Sequence, residues 1–332
     1  MTSTSGQWRT WKDPKMAELA NTRVAVTEAL IELADRDPRV VLIVADTVGV
    51  LKALPFKEKH PDRIIDVGIA EQGLVACASG LASSGMLPFA ATYGVFITMR
   101  ACEQVRSFVG YPKLNVKMIG ANGGMGAGER EGVTHQALED IGILRMVPGM
   151  TIVVPADAGQ TKKAVFAVAE IPGPAYIRIG SGRDPVVFDE DEPFELGKAR
   201  VLRRNGADVA VFSNGFILPR AITAVEELDR RGIGATLVEV HTVKPLDEEL
   251  ILDTLRNCKA AVVVEDHFTI GGLGSAIAEC ASEHEPVPVI RLGLQDVFPE
   301  SGDPDPLYDK YGLSVDDIVE AAIRAKSLRR TA

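Results

Sequence analysis

Strand and helix signals alternate along almost the whole chain, with a single break, and that alternation leaves few folds open. Residues 16–36 carry the spacing of an amphipathic helix, and a strand follows over Arg39–Ala45 with Asp46 at its end. Next come a short apolar strand, Ile64–Val67, expected to be buried, and a helix over Ala70–Ser84 rich in Ala, Ser and Gly, suited to close packing against a neighbour. A Pro-containing strand at 87–93, a helix from about Phe96 to Val109 and a strand at Val116–Gly120 follow. After a glycine-rich loop over 120–134, the first run closes with a helix at 137–146, a strand at Thr151–Pro155, a helix capped by Asp157 and a strand at Ala175–Ile179. Pro and acidic residues then cluster without periodicity at Asp184–Glu195, the mark of a linker. From Asp208 the alternation resumes, with strands at 208–213, 235–240, 260–265 and 287–292 and helices at 217–231, 247–256, 273–283 and 315–326. This order predicts parallel sheets covered by helices on both faces. The fold class is therefore α/β with two parallel-sheet domains, residues 1–183 and 207–332, joined by a linker over 184–206.

A chain of 332 residues exceeds one ordinary core, in keeping with two domains. Its net charge of −10, with no compensating basic run, argues against nucleic acid and against an anionic membrane surface. The start, Met-Thr-Ser-Thr-Ser-Gly-Gln-Trp, lacks the apolar core of a secretory signal, and no run is long and apolar enough to span a bilayer, so a cytoplasmic protein is expected. Cys77, Cys102, Cys258 and Cys280 are scattered among apolar neighbours with no CxxC spacing, which favours free core thiols over disulfides or zinc.

Where the strand at 64–67 turns into the next helix stands a carboxylate, Glu71. Acidic residues are common in first helical turns because they complement the helix dipole. A second reading rests on Val67, Ile69 and Leu74, an apolar setting that keeps a carboxyl proton available for acid–base work. The loop Gly120-Ala-Asn-Gly-Gly-Met-Gly-Ala-Gly departs from the dinucleotide fingerprint, and reads better as a mobile or close-approach active-site loop. His135 closes that loop; it can cap the following helix, or shuttle protons near neutral pH. Asp46 can end a turn or cap a helix, but it also lies where α/β sheets place ligands. Phe96, an aromatic after a strand, suits a core as well as a flat wall for a ring. In the second domain Glu265-Asp-His-Phe-Thr-Ile-Gly-Gly-Leu-Gly reads as a tight structural helix start rather than a phosphate loop, and Thr242-Val-Lys-Pro-Leu-Asp as a strand end followed by a helix capped by Asp247.

Ile-Ala-Glu-Gln-Gly at 69–73, Phe-Ala-Ala-Thr-Tyr-Gly-Val-Phe at 89–96 and Gly-Glu-Arg-Glu-Gly-Val-Thr-His-Gln-Ala-Leu-Glu-Asp at 128–140 occur in the order found in the C-terminal half of transketolases. Over nearly its whole length the chain resembles the smaller subunit of a two-component transketolase. The resemblance implies a pyrimidine-binding thiamin diphosphate domain followed by a transketolase C-terminal-like domain, and transfer of a two-carbon ketol unit from a ketose, phosphorylated or not, to an aldehyde. It implies that Glu71 bonds the N1′ atom of the cofactor aminopyrimidine, that Phe96 stacks on that ring with Tyr93 lining the pocket, and that Asp46 lies beside the cofactor. Met99 stands where the family often has a tyrosine and offers no hydroxyl. His135 corresponds to the histidine that handles sugar hydroxyl protons, and Arg23 to an arginine that contacts the sugar phosphate.

Several positions depart from the family. Asn122 stands for a loop histidine once an extra residue near Arg130 is allowed, Arg130-Glu131 replaces the usual Asp, and the phosphate-binding serine is absent around Val48–Leu51. A second substrate arginine is Arg178 or Arg183. These departures point away from an ordinary sugar phosphate. No Gly-Asp-Gly segment is present to hold Mg²⁺ and diphosphate, so the resemblance implies that a separate N-terminal subunit supplies them, in an α₂β₂ heterotetramer. The alternatives are the β subunit of a 2-oxo acid dehydrogenase E1 component, with the same domain order, and a noncatalytic scaffold.

Overall fold

The computed structural model describes residues 19–127 and 131–329. The first half runs β1 (Leu19–Ala20), α1 (Thr22–Arg36), β2 (Val40–Val44), α2 (Leu54–Lys59), β3 (Ile64–Asp66), α3 (Glu71–Ser83) and β4 (Leu87–Tyr93). A helical run over 96–110 holds α4 (Cys102–Gln104) between two wide π turns, and β5 (Lys117–Ala121), α5 (Asp140–Arg145), β6 (Thr151–Val153), α6 (Ala158–Glu170), β7 (Ala175–Arg178) and β8 (Asp184–Pro185) follow. The second half runs β9 (Arg200–Arg204), β10 (Val209–Ser213), α7 (Leu218–Arg230), β11 (Ala235–Glu239), β12 (Thr242–Lys244), α8 (Glu248–Cys258), β13 (Ala261–Phe268), α9 (Leu273–His284), β14 (Val289–Leu294), α10 (Pro304–Lys310) and α11 (Val315–Ser327).

Two large sheets result among the described residues. The first has the order β12-β6-β7-β5-β4-β2-β3, and the second β14-β13-β10-β11-β9. Both are parallel apart from one antiparallel edge strand each, β12 and β9. Val40–Val44 is buried at all five positions, as a central parallel strand with helices on both faces requires. Helix starts follow local side chains. Asn21 caps α1, Asp157 caps α6, Asp247 caps α8, and Ser314 with Asp317 forms a capping box on α11.

The cores join across the domain boundary. One apolar cluster runs from Leu74, Ile97 and Met118 under the first sheet to Phe212, Val263 and Ile277 under the second. Truncating a fully buried member such as Leu74 to Ala costs about 2–5 kcal/mol.

The structure corrects several expectations. The helix expected over 16–36 begins at Thr22, because Leu19–Ala20 pairs as a strand with Asp184–Pro185; residues 16–18 lie outside the described residues. The strand at 64–66 is half-buried, and Asp66 is exposed, because β3 is an edge with β2 as its one neighbour. The helix expected at 137–146 begins at Asp140, since the carbonyl of Ala137 is taken by the amide of Gly124. The segment read as a linker is structured: Asp184 is buried in β8, and β9 within it is already a strand of the second sheet. Thr242–Lys244 leaves the second domain and adds an antiparallel strand to the first sheet. The four thiols are free, but Cys102 is exposed and Cys77 half-buried rather than core. No helix among the described residues is long and apolar enough to cross a membrane.

Candidate functional site

The residues singled out in the first domain gather at the C-terminal ends of its parallel strands, where such sheets form ligand clefts. Asp46 follows β2, Glu71 follows β3, Tyr93 ends β4 with Phe96 just beyond, Asn122 follows β5 and Arg183 follows β7.

Glu71 is the first residue of α3 and is 2% exposed. Nη1 of Arg100 donates to its Oε2 at 2.7 Å, a charge-assisted hydrogen bond. The same guanidinium lies over the Phe96 ring, 4.3 Å from its centroid. The apolar setting expected around Glu71 is present in Leu74, which is fully buried, and Val67, which packs on the same core, and an ion pair with Arg100 is added to it. Ile69, expected to contribute to that setting, is 74% exposed on the loop before the helix. Arg100 carried no role in the sequence reading. Its one signal was its position four residues, one helical turn, after Phe96.

Three rings meet beside this pair. Tyr93 and Phe96 lie edge to face at 5.8 Å, and His135 packs edge-on against Tyr93 at 4.8 Å and Phe96 at 5.0 Å. Gly94 makes the approach possible, since a Cβ there would fall 2.8 Å from that of Ala137 on the returning loop. Burial raises the Tyr93 hydroxyl pKa, and the charge of Glu131 adds to it. Met99, one residue before Arg100, is half-exposed at the edge of the group.

Arg23 ties three loops together. Its Nε donates to the carbonyl of Gly180 at 3.4 Å, Nη1 to that of Val50 at 3.3 Å, and Nη2 to Oδ1 of Asn122. Burial lowers its pKa, opposed by the nearby Tyr93, Asp184 and Glu131. Asn122 is fully buried with φ of 60°, and its Nδ2 donor has no partner among the described residues. A buried orphan donor of this kind is costly unless a ligand or water meets it.

The two alternatives for the second arginine separate clearly. Arg178 is core: its Nε donates to Asp140 at 2.9 Å and its Nη1 to the carbonyl of Asp266 at 2.8 Å. Arg183 is exposed and lines an open cleft of about 560 Å³ between the domains; neither Glu71 nor Phe96 lines that cleft. Glu131 and Asp46 are exposed. Asp66, another residue without an assigned role, joins the loops after β2 and β3 by accepting from the amides of Asp46 at 2.8 Å and Gly68 at 3.0 Å. Arg130 lies outside the described residues.

A buried carboxylate beside a wall of aromatic rings fits a flat heteroaromatic group that needs one hydrogen-bond partner. Among the described residues no cluster of three or more His, Cys, Asp or Glu side chains gathers as a metal site. In the second domain, Glu265 fills the start of α9 itself, accepting from Leu273 at 2.6 Å and Gly274 at 2.8 Å.

Residues 18–182 match the family model described as transketolase, pyrimidine binding domain, and residues 197–318 that described as transketolase, C-terminal domain. The chain is 41% identical over 300 residues to the 6-deoxy-6-sulfo-D-fructose transketolase subunit SqwH of Clostridium sp. (strain MSTE9), covering 90% of this chain and 92% of that protein. It is 35% identical over 302 residues to an apulose-4-phosphate transketolase subunit of Phocaeicola vulgatus, covering 91% and 96%. A solved structure titled split gene transketolase, inactive beta4 tetramer, superposes with a TM-score of 0.85 at 41% identity, covering 94% of this chain and 99% of that one.

Proposed function

Because the chain belongs to the transketolase family, we propose that it is the pyrimidine-side subunit of a two-component, thiamin-diphosphate-dependent transketolase that moves a two-carbon ketol unit from a ketose to an aldehyde. The observation that carries this reading is the juxtaposition at one guanidinium of a buried carboxylate, Glu71, and an aromatic wall, Phe96.

Bound thiamin diphosphate supplies the nucleophilic carbon and electron sink that carbon–carbon cleavage next to a ketone demands. This chain's residues do the rest of the pyrimidine-side work. Glu71 holds a proton at N1′ of the aminopyrimidine, Phe96 provides the stacking face, and Tyr93, Met99 and Asp46 border the same pocket. His135 takes and returns protons of the sugar hydroxyls. Arg23 binds the distal end of the sugar while it holds the surrounding loops, with Asn122 and Glu131 beside it and Arg183 reaching in from the adjoining cleft. An oxygen-rich group at that end is in keeping with relatives named for a sulfonated and a phosphorylated ketose.

The diphosphate and Mg²⁺ belong to the partner chain. Support comes from the missing Gly-Asp-Gly segment and from the two relatives named as subunits. The exposed small side of α3, formed by Gln72, Gly73, Ala76 and Gly80, and the nearby exposed Met99, Phe108 and Tyr111 supply a face on which that partner docks. The working form is an α₂β₂ heterotetramer in carbohydrate metabolism. The inactive β4 assembly of the solved relative suits a chain that pairs with itself when alone. Four free thiols suit a cytoplasmic setting.

The test mixes this chain with a Gly-Asp-Gly-bearing partner, thiamin diphosphate and Mg²⁺, and follows ketol transfer from 6-phospho- and 6-sulfo-ketoses to an aldehyde. Transfer that vanishes with Glu71→Ala supports the reading. Turnover of a 2-oxo acid with an artificial oxidant, and none of ketoses, would replace it with the dehydrogenase alternative, and turnover unchanged by Glu71→Ala with the scaffold.

A further inference from the structure

The loop that carries Asn122 and His135 is anchored from the second domain. Asp266, near the end of β13 and 4% exposed, reaches across the boundary, and its Oδ1 accepts the amide of Met125 at 2.8 Å. Its Oδ2 accepts the hydroxyl of Tyr308 at 2.7 Å, which fixes the carboxylate from behind. The fit leaves no slack: a Cβ on Gly124, whose φ is +87°, would lie 1.9 Å from Oδ2. The returning arm is held from the same domain, with Nε2 of Gln136 donating to the carbonyl of Glu300 at 3.3 Å and the amide of Phe268 to the carbonyl of Leu138 at 3.0 Å. Nε2 of Gln136 also donates to the carbonyl of Met125 at 3.3 Å, so the two arms are joined to each other.

We propose that Asp266 is a positioning residue for the substrate end of the site, setting the loop arms 122–127 and 131–137 so that His135 meets Tyr93 and Phe96. Tyr93, Phe96 and Glu71 are carried by β4, the helical run after it and α3, whereas His135 is carried by the anchored loop, so the influence of Asp266 falls first on His135, the group that faces the sugar. This rests on the proposed role of His135 toward substrate. The chain thus uses its second domain as the fixed wall against which a glycine-rich loop is set. A carboxylate with two buried donors suits that task, because each bond is shielded from water and the two together fix its orientation.

The test compares wild type with Asp266→Asn, Asp266→Leu and Tyr308→Phe, each assembled with the partner chain. Amide hydrogen exchange across 122–137 reads the anchor directly. Asp266→Leu speeds exchange at Met125 about tenfold or more, and Asp266→Asn, whose amide oxygen still accepts that N–H, by about threefold or less. In turnover, Asp266→Leu raises KM for the ketose donor about tenfold while the Kd for thiamin diphosphate moves less than about twofold, and Asp266→Asn restores most of the KM. Unchanged exchange in Asp266→Leu overturns the proposal, as does a parallel loss of cofactor affinity and KM, the pattern of a residue that merely supports the fold. Should Asp266→Leu fail to fold, Tyr308→Phe decides: faster loop exchange at constant cofactor Kd supports the anchor, and unchanged exchange overturns it. A wild-type complex that transfers no ketol unit refutes the functional reading alone, since hydrogen exchange still settles the anchor.

Discussion

Nη1 of Arg100 lies 2.7 Å from Oε2 of Glu71, and the guanidinium that makes this bond also covers the ring of Phe96. The carboxylate and the stacking face assigned to the cofactor pyrimidine are thus both engaged by one side chain in the isolated chain. Arg100 is 46% exposed, so the pair contributes little, about 1 kcal/mol or less after solvent screening.

Displacing Arg100 accordingly costs cofactor binding a small amount. Arg100→Gln in the assembled complex is expected to tighten the Kd for thiamin diphosphate by up to about fivefold, read by calorimetry. A weaker Kd would mean that Arg100 turns to hold the cofactor instead.

Glu71→Gln keeps the size of the side chain and removes its ability to exchange a proton. kcat is expected to fall by about 10³ or more, with the cofactor Kd changing by less than about tenfold. A variant within about threefold of wild-type kcat would remove Glu71 from the chemistry.

Phe96→Ala deletes the aromatic wall. Stacking of a flat base on an aromatic ring contributes about 1–3 kcal/mol, so cofactor affinity is expected to drop about 5- to 150-fold while KM for the aldehyde acceptor changes little. The binding isotherm of the assembled variant provides the comparison.

Asp184 supplies a pH signature. Burial pushes its carboxyl pKa up from 3.8 to about 6, partly offset by the hydroxyl of Thr22, which donates to it at 2.7 Å. The folded chain therefore binds more protons than the unfolded one between about pH 4 and 6. Its contribution is full below pH 4 and is lost as pH rises through about 6, an amount of about 3 kcal/mol at most. Urea melts at stepped pH should show wild type losing stability relative to Asp184→Asn across that window. Parallel curves for the two proteins would contradict the assignment.

Legibility in the sequence divided by range. The strand–helix alternation was readable because parallel central strands such as Val40–Val44 must be apolar throughout, and caps such as Asp157 and Asp247 act within three residues. Glu71 could be picked out because a strand, a glycine turn and a small-residue helix adjoin it in the chain. What was hidden is long-range. Asp266 and Met125 are 141 residues apart, and β12 leaves its own domain to pair with β6, so no local pattern announces either. Arg100 and Asp66 carry no local signal of their roles, because only the folded chain shows which groups they join.

The central claim is that this chain carries half of a shared cofactor site, and the direct measurement is calorimetric titration of thiamin diphosphate with Mg²⁺ into the chain alone and then into the chain mixed with a Gly-Asp-Gly-bearing partner. The account predicts heat of binding in the mixture only. Tight binding to the isolated chain would contradict it and place a diphosphate site within these 332 residues.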